Sequence, residues 1–330
     1  MKVFVTGVNG LIGSNLIRVL LARGYDVVGM LRPTSSLISL RGLDFKKYIG
    51  DILNPEDVLR AAQDCRIIIH LAANTIQWPT ALKYYSANIQ GTINVINAAK
   101  KVGVEKFIYV NTANSFGYGT KENPGNEQCE FRLFNFKSGY IQSKYKAQQI
   151  VLKEVKSNKL PAIILNPTFT LGPYDAKPSS GRIISLVYGK KILGYPPGGK
   201  NFVHVHDVAI GICNAIQMGR IGECYLLGHQ NLTYEEFFKK LIRITGMKVK
   251  IFKVPSSLYK IVGLSGTIYE KLFRKEFPLA NYTHSRLLCI GNYYTSDKAI
   301  NELNLPQTPI EYAIKDAYNW FKSNGYLNAK

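Results

Sequence analysis

Two periods of apolar spacing run through this chain. Short, β-branched apolar runs at residues 3–5, 25–31, 45–48, 67–70 and 107–110 read as buried strands. Between them lie segments with helical spacing. One covers residues 11–21 and stops at Gly24, a second opens near Asn54-Pro55-Glu56, and a long one covers 84–101. A further helix opens around Gly139-Tyr140, and strands return at 162–165 and 224–227. Strands alternating with crossover helices predict an α/β chain built on a doubly wound parallel sheet.

The first strand–turn–helix carries Gly7, Gly10 and Gly13, the spacing of a dinucleotide-binding fingerprint and hence of a Rossmann-type sheet. Gly7 permits the tight turn, Gly10 lets backbone approach a pyrophosphate, and Gly13 allows helix to pack closely on strand. The free N–H groups and positive end of the helix hold phosphate charge. At the end of the second strand, where a carboxylate would bond ribose hydroxyls, stand Leu31-Arg32 and then Pro33-Thr34-Ser35. Arginine with neighbouring hydroxyls suits a 2′-phosphate, so NADP(H) is expected ahead of NAD(H), which stays open. Asp51 can accept from the adenine amino group and can also cap the helix that begins near Asn54-Pro55-Glu56, two compatible roles. The small residues of Leu71-Ala72-Ala73 leave room for the cofactor across the end of strand four.

Chemistry is expected after strand five, where Val110-Asn111-Thr112-Ala113-Asn114 leads on to Gly139-Tyr140-Ile141-Gln142-Ser143-Lys144. Tyr140 and Lys144 are four apart and share a helix face. An ammonium beside the phenol lowers its pKa from about 10, fitting Tyr140 to exchange a proton with a carbonyl or alcohol oxygen. Thr112 can hold the same oxygen, and Lys144 can also bond the nicotinamide ribose. A Tyr–Lys pair is a frequent accident among 21 tyrosines. Its position after a glycine-rich turn and a hydroxyl is what singles it out.

Composition narrows the setting. A chain of 330 residues with 46% hydrophobic residues builds a substantial core, and no apolar run approaches the length that spans a bilayer. Its start leads straight into a strand, so no signal peptide and a cytoplasmic location are expected. Five scattered cysteines predict neither a disulfide nor a structural metal. The net charge of +20 comes from dispersed basic residues. With no nucleic-acid module legible, it reads as solvated surface charge and nucleic acid is not an expected partner.

By these residues the chain resembles the extended short-chain dehydrogenase/reductase superfamily, the NAD-dependent epimerase/dehydratase family. The matching positions are Thr6-Gly7-Val8-Asn9-Gly10-Leu11-Ile12-Gly13, Gly50-Asp51, His70-Leu71-Ala72-Ala73, Asn88 with Gly91-Thr92, Thr112, and Tyr140 with Lys144. The resemblance implies a pyrophosphate loop that includes Gly7, Asn9, Gly10, Leu11 and Ile12. It implies an adenine contact at Asp51 and Ile52, and a cofactor wall at Leu71, Ala72, Ala73 and Val110. It also implies a helix-four asparagine at Asn88, a turn past the nicotinamide at Asn166-Pro167, and a catalytic Thr112–Tyr140–Lys144 set. Leu31-Arg32-Pro33-Thr34-Ser35, Leu171-Gly172-Pro173 and Phe202-Val203-His204-Val205-His206-Asp207 look like the dihydroflavonol-4-reductase-like branch, which includes proteins labelled hopanoid-associated sugar epimerases. Three positions depart from the pattern: Thr112 replaces the usual serine, Gln148 a common glutamate, and His206 an acidic residue. The Asp-Glu pair of sugar-nucleotide dehydratases is absent, since Ala113-Asn114 stands there.

The expected function is NADPH-dependent reduction of a ketone or aldehyde, reversible as alcohol oxidation, on a small-molecule substrate whose identity the sequence does not specify. An NAD-dependent sugar-nucleotide epimerase is the alternative, and a non-catalytic cofactor-sensing or scaffold protein the more distant rival. Residues 1–165 are expected to form the dinucleotide-binding domain. Residues 166–330 form a smaller substrate-binding lobe, with segments near 200–230 and 310–325 returning to the first domain. A homodimer stays open. Residues 190–200, rich in Gly and Pro, read as an irregular loop, and Thr233 with Glu236 as a helix start. Residues 254–275 mix apolar and basic side chains. Packing on their own lobe is preferred, with a substrate lid or contact with acidic lipid as the other readings.

Overall fold

The computed structural model describes residues 1–76, 85–136, 138–273 and 281–327. Its first half runs β1 (Lys2–Thr6), α1 (Leu11–Ala22), β2 (Asp26–Leu31), β3 (Lys46–Ile49), α2 (Pro55–Ala62), β4 (Ile67–His70), α3 (Ser86–Val102), β5 (Lys106–Val110), α4 (Gly139–Asn158) and β6 (Ala162–Pro167). The expected start of the third helix at Tyr84 lies outside the described residues. The second half runs β7 (Phe169–Leu171), α5 (Arg182–Val187), β8 (Ile192–Tyr195), β9 (Gly199–His204), α6 (Val205–Met218), β10 (Cys224–Leu227), β11 (Gln230–Thr233) and α7 (Tyr234–Thr245). It ends with β12 (Lys250–Lys253), α8 (Ser256–Phe273), α9 (Tyr282–Leu288), β13 (Gly291–Asn292), α10 (Asp297–Leu303) and α11 (Ile310–Ser323).

A seven-stranded parallel sheet in the order β10-β6-β5-β4-β1-β2-β3 forms the centre. Alternation along β1 sorts its side chains by face. Val3 and Val5 join the core under α1 and α6, while Phe4 joins the core under α2, α3 and α4. Both faces are covered, so strands such as Ile67–His70 are buried throughout. The order reverses between β1 and β4, whose ends pair Thr6 with His70. Ligands of open α/β sheets bind in the crevice outside such a reversal.

Beyond β6 the chain builds a second layer, with β7, β9, β11 and β13 in one small sheet and β8 parallel to β12 in another. Residues 190–200, expected to be irregular, supply both β8 and the start of β9. Pairing with β12 across the fold overrides the turn-forming Gly and Pro. The chain returns to the central sheet at β10. The last helix does not return to the first domain. Ile310, Ala313, Ile314, Ala317 and Phe321 of α11 sit in an aromatic-rich core with Phe202, Phe237 and Leu241 of the second layer. Residues 256–273 form α8, as their spacing predicts, but the packing expected for the apolar stripe is not found. The residues α8 buries are Gly263, Gly266 and Glu270. The expected end of this segment at residues 274–275 lies outside the described residues.

Candidate active site

The glycine-rich turn is held by backbone constraints that explain two of its three glycines. Gly7 has φ of +75°, and a Cβ there would lie 2.7 Å from the Ala72 nitrogen. A Cβ on Gly13 would lie 2.2 Å from the Gly7 oxygen. Gly10 differs, since its Cβ would meet only the Gly7 oxygen at 3.4 Å. Space above Gly10 is therefore open, and no side chain caps the N-terminus of α1. Uncapped N–H groups next to an open glycine fit a dinucleotide pyrophosphate. The loop is tied to the end of β2: Ser39 donates to the Asn9 carbonyl at 3.0 Å, and Asn9 to the Ser36 carbonyl at 3.4 Å. Leu11 and Ile12 open α1.

Arg32 and Thr34 are exposed beyond β2, and the Ser35 hydroxyl accepts from the Arg32 N–H at 3.1 Å. Asp51 does not cap α2. It accepts from Leu53 N–H at 2.9 Å, while Asn54 is the N-cap, accepting from Glu56 N–H at 3.0 Å. Ile52 packs beneath Gly91, where a Cβ would meet its side chain at 2.6 Å. Leu71, Ala72 and Ala73 are half-buried beside the glycine turn, and Ala72 N–H donates to Thr6 Oγ1 at 3.2 Å.

Asn88 is buried and acts as a clamp. It accepts from Asn74 N–H at 2.6 Å and donates to the Asn74 carbonyl and the Ser143 hydroxyl at 3.0 and 2.9 Å. Both its N–H donors are engaged with protein. The clamp joins the segment after β4 to α4, the helix that carries Tyr140 and Lys144.

Ser138 caps α4, and Thr112 caps the short turn after β5. The Thr112 hydroxyl bonds the Tyr140 phenol, which burial pushes up to about 12. The expected depression by Lys144 is not seen in this structure, where Thr112 is the group that opposes burial. The Lys144 ammonium instead donates to the Val110 carbonyl at 3.0 Å and the Tyr109 hydroxyl at 3.2 Å, and burial lowers it to about 7. Four residues of spacing place Tyr140 and Lys144 on one face; the Tyr140 hydroxyl meets Thr112, while the Lys144 ammonium is held by Val110 and Tyr109.

Behind Lys144 runs a buried polar chain. Thr6 Oγ1 lies 2.7 Å from His70 Nδ1, and His70 Nε2 lies 3.1 Å from Thr92 Oγ1. Thr92 donates to the Asn88 carbonyl and also bonds Tyr109. Because Thr92 gives its proton to Asn88, it accepts from His70, which assigns the ring proton to Nε2. Burial, with the Lys144 charge adding to it, holds His70 neutral at about 3. This chain links the glycine turn to Lys144 and was missed at Tyr109. Its signal was one polar-tipped aromatic in the run Phe107-Ile108-Tyr109-Val110.

Asn166 donates to the Thr112 carbonyl at 3.1 Å and to Gln148 Oε1 at 2.8 Å. Asn111 donates to the same Gln148 oxygen. Gln148 thus fixes β5 and β6 to α4, and a carboxylate is not needed there. Pro167 ends β6 beside Leu227 of β10. A second feature was not foreseen. Lys200 and His284 lie near each other, with Arg182 beside His284. Burial lowers Lys200 to about 8, and burial together with the two cations lowers His284 to about 4. The second layer therefore carries positive charge; no spacing in the sequence links these three positions, which lie on different elements.

A Rossmann-type sheet with a glycine-rich turn at its crossover is the architecture of a dinucleotide-binding protein, and the family and relatives of the chain make it an NAD(P)-dependent enzyme that acts on carbonyl or hydroxyl groups. Residues 3–228 match the NAD dependent epimerase/dehydratase family, and the chain belongs to it. It is 31% identical to a Synechocystis protein provisionally named dihydroflavonol 4-reductase, over 99% of this chain and 96% of that one. It is 28% identical to the sterol demethylase protein B of Methylococcus capsulatus, over 99% and 100%. Against the 2-alkyl-3-oxoalkanoate reductase of Shewanella oneidensis the identity is 25%, over 88% and 78%. Among solved structures, gox2253 superposes with a TM-score of 0.86 at 31% identity over 99% of both chains. The NAD-bound UDP-glucuronic acid 4-epimerase of Bacillus cereus shares the fold, with a TM-score of 0.77 at 22% identity over 98% of this chain and 100% of that one.

Proposed function

We propose that the protein is an NADPH-dependent reductase of a ketone or aldehyde, running in reverse as an alcohol dehydrogenase. The observation that carries this reading is the hydrogen-bonded pair of buried Thr112 and half-buried Tyr140. A phenol held near 12 keeps its proton at neutral pH and has it ready for a carbonyl oxygen. Bound NADPH supplies the hydride. Thr112 and Tyr140 hold the substrate oxygen, and Tyr140 hands it the phenolic proton as negative charge develops there. Lys144, fixed by Val110 and Tyr109, is the donor to the nicotinamide ribose.

In this reading Gly7, Asn9, Gly10, Leu11 and Ile12 hold the pyrophosphate, and Asp51 and Ile52 the adenine. Leu71, Ala72, Ala73, Val110, Asn166 and Pro167 wall the nicotinamide side. Asn88 positions α4 rather than touching the cofactor. Arg32, Thr34 and Ser35 take the 2′-phosphate, which supports NADPH over NADH. The names of two relatives, a dihydroflavonol 4-reductase and a 2-alkyl-3-oxoalkanoate reductase, support reduction of a ketone. A second reading, epimerisation of a nucleotide sugar with recycled NAD, has the positive cluster of Lys200 and Arg182 in its favour, since diphosphates seek such charge.

A fluorescence titration of the purified protein with NADPH and with NADH separates the readings. Clear preference for exchangeable NADPH, weakened about tenfold or more in Arg32→Ala through loss of a charge-assisted bond, supports the reductase. Nucleotide that survives purification as NAD, with Arg32→Ala unchanged, overturns it in favour of the epimerase.

A further inference from the structure

Helix α8 is turned inside out relative to a solvated helix. Its inward side is small and polar. A Cβ on Gly263 would lie 2.4 Å from the Ser285 hydroxyl of α9, so the two helices touch there. Thr267 accepts from Tyr282 N–H at 2.9 Å, and Glu270 accepts from Asn281 at 3.2 Å. The outward side is apolar: Leu258, Ile261, Leu264, Ile268, Leu272 and Phe273 are each between 50% and 71% exposed. At 3.6 residues per turn, the first five fall within about 120° of one another, a continuous stripe along a helix about 27 Å long. Phe252, just upstream in β12, is also exposed.

Charge frames the stripe on one flank. Lys260 and Lys271 stand about a quarter-turn from its centre, where long side chains extend past a buried apolar face. Lys248, Lys250 and Lys253 lead into the helix, and the single acidic residue of 248–273, Glu270, is buried on the inner side. Among the described residues no helix is long and apolar enough to cross a membrane. An apolar stripe edged by lysines is the pattern of a helix lying in the plane of a bilayer surface.

We propose that α8 is an interfacial helix that seats this protein on an anionic lipid surface, its apolar stripe among the acyl chains and Lys260 and Lys271 at the level of the headgroups. A second copy of the chain fits the stripe less well. A two-fold contact would set this lysine-edged face against itself in a chain of net charge +20, whereas an anionic leaflet offers the opposite charge. The inference rests on α8 alone and not on the reaction proposed above. Its location bears on that site all the same: Leu287, at the end of the α9 helix under α8, packs in the same apolar cluster as Tyr140.

Co-flotation of the full chain with vesicles tests the proposal. The protein should float with vesicles of equal parts phosphatidylglycerol and phosphatidylcholine, and much less with phosphatidylcholine alone. Replacing Lys260→Gln and Lys271→Gln should weaken binding about fivefold per lysine at low salt. Ile261→Ser with Ile268→Ser and Leu272→Ser should abolish it. All these side chains are exposed, so an unchanged thermal midpoint is expected and shows that the variants fold. Failure of the unaltered protein to float with anionic vesicles overturns the proposal. So does undiminished flotation of the triple serine variant. A dimer in sedimentation that the triple variant dissociates, with no vesicle binding, overturns it in favour of a second copy.

Discussion

The surroundings of Tyr140, more than its neighbour in sequence, keep its proton in place at neutral pH. Spacing alone pairs it with Lys144. In the folded chain its hydroxyl meets Thr112, and the lysine is held by Tyr109 and Val110. If Tyr140 is the acid of the proposed reaction, removing its hydroxyl removes the proton that the reaction needs. Tyr140→Phe should lower turnover about 10²- to 10⁴-fold, the usual worth of a positioned acid, with NADPH affinity unchanged. Steady-state kinetics beside the titration check this; retained turnover moves the acid role elsewhere. The cap of α2 was likewise not legible one residue at a time. Asp51 and Asn54 are both sound caps in sequence, and only the path of the chain into α2 makes Asn54 the cap.

At the scale of elements, the glycine-rich turn separates folding from binding. Gly13 is packed against the Gly7 carbonyl, so Gly13→Ala forces backbone apart and should cost about 1–3 kcal/mol of stability. Gly10 faces open space, so Gly10→Ala should melt like the unaltered protein yet bind dinucleotide more weakly. Thermal denaturation of both variants, paired with the titration, distinguishes them. A Gly10→Ala protein that binds normally would remove the pyrophosphate from this turn. The strands and helices of the first half follow the sequence closely because each is local: a β-branched run, a cap, a glycine stop. The capping box of α7 is as the sequence predicts, with Thr233 accepting from Glu236 N–H and Glu236 reaching back. β8 was not legible because its partner, β12, lies far along the chain.

The whole molecule sets the protonation of its buried bases. Lys144 is lowered to about 7 and His70 to about 3, while in an unfolded chain both have ordinary values. Between pH 7 and about 10.5 the unfolded chain binds a proton at Lys144 that the folded chain does not, so stability rises with pH through that window. His70 does the same between pH 3 and about 6.5. Without cofactor, acidification should thus destabilise the protein in two steps. Lys144→Met should flatten the upper step and His70→Gln the lower, read from denaturant midpoints across pH. An unaltered upper slope in Lys144→Met would mean that the ammonium is solvated in the folded protein.

Sequence by itself determined the doubly wound sheet, the glycine-rich crossover, and that Thr112 follows β5 while Tyr140 and Lys144 share one helix. These depend on short-range steric and hydrogen-bonding rules, which the residues carry with them. Tertiary structure alone decided which group touches which. It sent Lys144 to Tyr109 and gathered Lys200, Arg182 and His284. It docked α11 on the second layer and turned the apolar side of α8 outward. Each of these joins residues far apart in the chain or chooses between two faces of one helix, and helical periodicity marks that a face is apolar without saying what it meets.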